Sequence, residues 1–268
     1  MSQNPIQPAL GILRHTEAGK KFTLTRIQPA EALKPFIKHY WITEWDLNGQ
    51  APYDQGVVPN PCVNLVVQPG RSLFYAPAAE KHAHRLAGRG LVFGAKFHPG
   101  GFHPFLRHAV SELQGQPLPP LSILGVDGPA LEQHLLSPGQ TDQEKAAAAD
   151  RLFEAVLPPR DPQAEEMAGI VVYIASHQEL SRVEQLCSVF GCSIRTLQRL
   201  FGQYVGLSPK TVIRLYRLQN AAEAMDKGRI RNLLELSMDL GYHDQAHFSK
   251  DFKAVIGQTP EQYLRSKH

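Results

Sequence analysis

Arg195, Gln198 and Arg199 are spaced i, i+3 and i+4, so on a helix they share one face, opposite Leu197, Leu200 and Phe201. In the major groove arginine donates two hydrogen bonds to guanine and glutamine pairs with adenine, each good pair discriminating by roughly 1–3 kcal/mol. These three residues are the first candidates for reading bases. Further along, Gln245, Ser249 and Lys250 form a second exposed face, with Ala246 small enough to approach a thymine methyl group. Lys210, Arg214, Arg217 and Lys253 are candidates for phosphate contacts, which position a protein on DNA without reading its sequence. The whole chain carries only +3, but from Arg195 to Lys253 there are ten Lys or Arg against six Asp or Glu. An outward polar face on an arbitrary helix is ordinarily just solvated. Here the motif occurs twice, with matching spacing and helix caps.

A base-reading helix has to be held by a first helix and a tight turn, and the segment from Val183 to Phe201 has that form, with glycine at Gly191. Leu186, Val189, Leu197, Leu200 and Phe201 are its expected core. The plan recurs where Leu233, Leu236 and Leu240 precede Gly241 and Asp244 opens a helix containing Phe248 and Phe252. Beyond the break Pro158-Pro159-Arg160-Asp161-Pro162 every segment reads as helix: 164–175, 182–190, 194–205, 209–225, 232–240, 245–256 and 260–265. Ser181, Ser193, Ser208, Asp244 and Thr259 stand as N-caps, and Gly191, Gly206, Gly241 and Gly257 stand where helices should stop. The helix from Pro209 is about 25 Å long. Successive major grooves on one face of B-DNA lie roughly 34 Å apart, so such a helix helps hold two readers one turn apart.

These residues resemble the AraC/XylS family of bacterial transcription regulators over roughly residues 165 to 266. The long match is Gly241-Tyr242-His243-Asp244-Gln245-Ala246-His247-Phe248-Ser249-Lys250-Asp251-Phe252-Lys253, then Gly257-Gln258-Thr259-Pro260 and Tyr263. Leu197-Gln198-Arg199-Leu200-Phe201, Gly206-Leu207-Ser208-Pro209, Arg217-Leu218 and Ala221-Ala222 agree as well. The resemblance implies double-stranded promoter DNA as partner, with Arg195, Gln198 and Arg199 reading bases in the first unit and Gln245, Ala246, Ser249 and Lys250 in the second. Cys187 stands where the family usually has alanine, and Leu236-Ser237 replaces its common Ile-Ala pair. Both changes keep small or apolar volume.

The 268 residues favour two compact units. Short apolar runs in the first half, Trp41-Ile42 with Trp45, Val63 to Val67, Leu73 to Tyr75 and Leu91 to Phe93, are separated by turns and read as strands, with a helix expected around Pro35 to Tyr40. Helical pieces follow at 129–136 and 142–157. The expected architecture is α+β with two domains: residues 1–160, β-rich with trailing helices, and residues 161–268, all-α with two helix-turn-helix units joined by a long helix. In regulators of the AraC type the second domain commonly senses a small effector or dimerises, and several such domains are cupin-like β barrels. Pro61 to Leu65 and Phe93 to Phe102 resemble an uncharacterised N-terminal domain on such regulators. A small-molecule effector, a second copy of the chain and RNA polymerase are therefore expected partners.

His82 and His84 form an H-x-H pair with His98, His103 and His108 near in sequence, but Arg85 to Gly88 occupy the places where a cupin-like site would carry glutamate. Hydrogen-bonded or exposed histidines are the more ordinary reading, and no metal or cofactor is expected. Cys62 as a reactive thiol, and Cys187 with Cys192 as a redox pair, compete with the commoner role of cysteine as a small buried hydrophobe. Two alternatives stay open: an enzyme domain with metal or thiol chemistry fused to the DNA-binding half, and an N-terminal half that only dimerises. Tyr40, Trp41, Trp45 and Tyr53 are aromatic enough to line an effector pocket, although such residues more often fill cores. Three cysteines argue against a secreted disulfide framework. The stretch from Met1 to Leu13 lacks a basic n-region, and no window reaches the length of a membrane span, so a cytoplasmic protein with no catalytic role and no membrane partner is expected.

Overall fold

Alternation of apolar and polar residues at period two builds the first half. The computed structural model describes residues 21–106, 108–228 and 232–265, so the expectation on Met1 to Leu13 lies outside the described residues. Seven strands form: β1 Thr23–Ile27, β2 Ile37–Asp46, β3 Tyr53–Val57, β4 Asn64–Val67, β5 Leu73–Tyr75, β6 His82–Leu86 and β7 Arg89–Phe97. An antiparallel sheet runs in the order β1-β2-β7-β4-β5, and β3 pairs with β6 as a separate two-stranded sheet.

The expected helix around Pro35 to Tyr40 is not formed: a short 3-10 turn at Glu31–Leu33 leads into β2. Phe36, Ile37 and Tyr40 are all buried, a spacing that also suits a helix. What decides is the continuation: Tyr40 and Ile42 point into one core while Trp41, Thr43 and Trp45 point away from it, and β2 gains ladders on both sides.

Three helices follow: α1 Leu121–Leu124, α2 Gly128–Leu135 and α3 Asp142–Glu154. Thr141 caps α3 in a capping box with Glu144. The alanine-rich face of α3 lets it lie close to the sheet: Ala146, Ala149 and Phe153 share a core with Tyr40, Leu65, Phe74, Phe93, Ala95 and Phe97. One carboxylate oxygen of Asp150 locks this packing, accepting from the Tyr40 hydroxyl at 2.8 Å and from the Ala30 N–H at 2.9 Å. Tyr40 is therefore a core residue, while Trp41, Trp45 and Tyr53 lie on the far side of the sheet.

The second half is helical: α4 Pro162–Ser176, α5 Val183–Phe190, α6 Ile194–Leu200 ending in a π turn at Phe201–Val205, α7 Pro209–Asp226, α8 Leu233–Asp239, α9 Gln245–Ile256 and α10 Pro260–Arg265. Asp161 opens α4 by accepting from the Gln163 and Ala164 N–H groups. Two cores stand on opposite flanks of α7. Val212, Ile213 and Tyr216 join Ile170, Leu186, Leu197 and Phe201, whereas Leu215, Leu218, Ala222 and Met225 join Phe248, Phe252, Ile256 and Tyr263. Val189 departs from the expected core: it is 52% exposed, because the first unit closes on Leu186 without it. Among the described residues no helix is long and apolar enough to cross a membrane.

Candidate nucleic-acid interface

The first unit exposes the face of α6 that the spacing predicts. Ser193 caps α6, its hydroxyl accepting from the Thr196 N–H at 3.1 Å, and Gly191 ends α5 in the left-handed conformation. Leu197 is fully buried on one side of α6, while Arg195, Gln198 and Arg199 are all exposed on the other. Arg199 donates to Gln203 Oε1 at 3.3 Å, which steadies the guanidinium without removing it from solvent. Ser181 is not the N-cap expected of it: Arg182 occupies that place, and the Gln185 side-chain carbonyl accepts the N–H groups of both Ser181 and Arg182.

The second unit is held differently. Asp244 caps α9 through the His247 N–H at 2.7 Å, and Gly257 ends it. Ala246 and Lys250 are exposed, Ser249 is half-buried, and the Gln245 amide is tied to Glu261 at 3.0 Å. Asp251, an acid on an otherwise basic helix, organises the base of the unit: it accepts from the Tyr242 hydroxyl at 3.0 Å and from Arg214 at 3.5 Å. Burial, with Asp251 next, pushes the Tyr242 hydroxyl pKa up. Arg217 lies over the Tyr242 ring at 5.8 Å, and burial lowers its guanidinium pKa. Of the four cations expected at phosphates, Lys210 and Lys253 are exposed, whereas Arg214 and Arg217 tie α7 to the second unit. Asp251 was not singled out from the sequence, although a lone acid among Gln245, Lys250 and Lys253 is the signal that marks it.

Residues 186–266 match the family model of a helix-turn-helix domain, and residues 25–119 match that of a domain of unknown function (DUF6597). Residues 186–266 are an AraC-type helix-turn-helix domain. An uncharacterised HTH-type transcriptional regulator of Haemophilus influenzae is 30% identical over 98 residues, 37% of this chain and 33% of its own. The F1 operon positive regulatory protein of Yersinia pestis is 36% identical over 97 residues, 35% of this chain and 32% of its own. The chain thus covers about a third of the length of these relatives, within its AraC-type half. Among solved structures, the C-terminal domain of AraT, a response regulator from Geobacillus stearothermophilus, is 27% identical, covering 40% of this chain and 86% of that one with a TM-score of 0.34.

The AraC-type domain does not stand apart from the first half. The Gln219 amide of α7 donates to the Pro59 carbonyl at 2.7 Å, the Lys81 N–H donates to the Ala254 carbonyl at 2.9 Å, and Gln114 donates to the carbonyls of Pro77 and Gly206. His103 packs against Tyr204 with ring centroids 4.1 Å apart and the planes tilted by 43°. Lys250 and Lys253 line a hollow shared with Glu80, Lys81 and His82.

Elsewhere in the first half, Cys62 is buried, and burial pushes its thiol pKa up, the opposite of an activated nucleophile. Cys187 and Cys192 are free, half-buried thiols in contact with one another. His84 meets Trp45 edge-on at 6.4 Å, and among the described residues no three His, Cys, Asp or Glu side chains are gathered around a common point suited to a metal.

Proposed function

We propose that this chain is a sequence-specific, DNA-binding transcription regulator of the cytoplasm, with a β-rich regulatory domain at residues 1–160 and a DNA-reading domain at 161–268. The observation that carries the reading is the face of α6: three base-pairing side chains, all exposed, on a capped helix backed by a closed core. In this reading Arg195, Gln198 and Arg199 contact bases from α6, and Gln245, Ala246, Ser249 and Lys250 do so from α9. Lys210 and Lys253 meet phosphates directly. Arg214 and Arg217 reach phosphates only by giving up Asp251 and Tyr242. The second unit is the weaker reader, since Gln245 is engaged by Glu261 and Lys250 borders the first half. The first half supplies effector response or dimerisation, and RNA polymerase is the partner through which a bound regulator acts.

Selection of bound sequences from a random DNA pool, followed by affinity measurement on the selected site, tests this. Arg199→Ala is expected to weaken binding about tenfold and to relax the preference at one base pair, with the circular dichroism spectrum unchanged. Selection that enriches no sequence, or an Arg199→Ala variant with unaltered affinity and preference, overturns it.

A further inference from the structure

The five-stranded sheet has a second face, turned away from α3, and strand register fixes what stands on it. Because Tyr40, Ala95 and Phe97 enter the helix-covered core, their alternate neighbours His39, Trp41, Gly94 and Lys96 point the other way, with Asn64 beside Lys96 on β4. The two-stranded β3–β6 sheet covers part of this face, since Tyr53 and Leu86 pack with Leu24 and Trp45. Gln55 lies on the same side of this small sheet as Tyr53, because residues two apart on a strand share a face.

Two features of this interior ask for a ligand. Gln55 is only 6% exposed; its amide N–H donates to the Gly56 carbonyl, and its buried Oε1 has no partner. Folded proteins avoid orphaned acceptors of this kind unless they serve a purpose. Lys96, in turn, is surrounded closely enough that burial lowers its ammonium pKa, yet part of its surface stays exposed. Among the described residues the charged or titratable groups that act on it are Cys62, Lys38 and Arg26, and none is a carboxylate. A buried ammonium without an anion is costly, and the same cations add to the burial that lowers the pKa of His39 beside it. The floor beside it is apolar: Trp41 lies over Gly94 and Trp45 over Gly90, where any Cβ would collide with the indole.

We propose that the space between the five-stranded sheet and the two-stranded β3–β6 sheet binds a small organic anion with an apolar body and a hydroxyl or N–H donor. Lys96 meets the anion, Gln55 Oε1 accepts from the donor, and Trp41 and Trp45 pack against the body. Pro59, three residues before Cys62, accepts from Gln219 of α7 at 2.7 Å, so this part of the first half touches the helix that joins the two helix-turn-helix units. The role of this ligand as effector rests on the DNA-binding reading above; its binding does not.

The chain has two tryptophans, both on this face, so tryptophan emission of the full-length protein reports the site directly. Calorimetry and emission would be followed with 4-hydroxybenzoate and 3-hydroxyoctanoate as probes, against plain benzoate and neutral 4-hydroxybenzamide. Saturable binding of at least one hydroxy acid is expected, with 4-hydroxybenzamide weaker than 4-hydroxybenzoate by about tenfold. Lys96→Met should abolish the preference for the acid, and Gln55→Leu should abolish that for hydroxybenzoate over benzoate. Lys96→Met should melt no lower than the parent; Gln55→Leu removes an unpartnered acceptor together with the amide's bond to the Gly56 carbonyl, so its melting temperature should lie close to the parent's. No saturable signal from either hydroxy acid overturns the proposal, as does an amide that binds as tightly as the acid; both results come from the unaltered protein. Binding of the selected DNA by the same samples separates the two readings, since intact DNA binding without hydroxy-acid binding sinks this one alone.

Discussion

At the scale of single residues, side chains of one chemical type take different roles according to what surrounds them. Lys210 and Arg214 both lie on α7 and both are cations, but Lys210 is exposed whereas Arg214 is paired with Asp251. Replacing Lys210 with alanine should reduce the salt slope of DNA binding by about 0.9, the release of one counterion. Arg214→Ala should instead lower stability by about 1 kcal/mol, the worth of a charged hydrogen bond near the surface, and leave that slope unchanged. A reversed pattern in anisotropy titrations at several salt concentrations would show that Arg214 leaves Asp251 for a phosphate. His39 gives a pH signature. Its folded pKa is pushed down to about 3 from 6.5, chiefly by burial and then by Lys96, Arg26, Lys38 and His98. Above pH 6.5 the ring is neutral in both states and costs nothing. Below it the unfolded chain takes up a proton that the folded chain refuses, so stability falls by about 1.4 kcal/mol per pH unit as pH drops toward 3. His82, His98 and His103 are shifted the same way. Denaturant unfolding at stepped pH between 6.5 and 5 should therefore show a shallower slope for His39→Asn than for the parent, and equal slopes would contradict the burial of this ring.

At the scale of elements, caps settle where the reading helices begin. Ser193, Ser208 and Asp244 each accept the N–H three residues on, so α6, α7 and α9 start at fixed points with their first turns satisfied. Ser193→Ala should cost about 1 kcal/mol. It should also weaken binding to the selected DNA beyond what thermal melting alone explains, because Arg195 lies in the turn that frays. Variants compared well below their melting temperatures would expose this; DNA affinity equal to the parent's would separate the cap from the reader. These helices were legible in the sequence because their signals are local: an N-cap, an apolar stripe and a glycine stop within one window. Ser181 misled because Gln185 supplies the same service with a side-chain carbonyl. β1, β3 and β6 left little trace, since Thr-Leu-Thr-Arg-Ile or His-Ala-His-Arg-Leu carries no strong apolar run. The pairing of His39 with Lys96 left none, because it is assembled from strands far apart in the chain, and only register shows that they stand side by side.

At the scale of the molecule, the question is whether the two halves behave as one body. Among the described residues the apolar ones divide into separate cores, one under the sheet, a small one between the two sheets around Leu47 and Leu86, and two around α7. What crosses between the halves is largely polar and directional: Gln219 to Pro59, Gln114 to Gly206, and Lys81 to Ala254. Each such bond contributes about 1 kcal/mol net, and losing its donor leaves a carbonyl unsatisfied where it is buried, as at Pro59. Gly206 adds a steric lock: its φ of +82° admits glycine readily, and an added Cβ would lie 2.8 Å from Val110. Cores of different size have different intrinsic stabilities, so a shared transition requires that the coupling between them exceed that difference. The full-length parent should then unfold as one calorimetric transition, and Gln114→Ala with Gln219→Leu should split it in two, because the apolar cores are untouched while both side-chain bonds between the halves named above are gone and only the backbone bond from Lys81 to Ala254 is left. DNA affinity of the doubly substituted protein should stay within a few-fold of the parent's, since neither side chain lies on the exposed face of α6 or α9. A single transition in that variant would mean that burial, not hydrogen bonding, joins the halves, and that any ligand signal must cross through the packing of Tyr204 against His103 and of Gly206 against Val110.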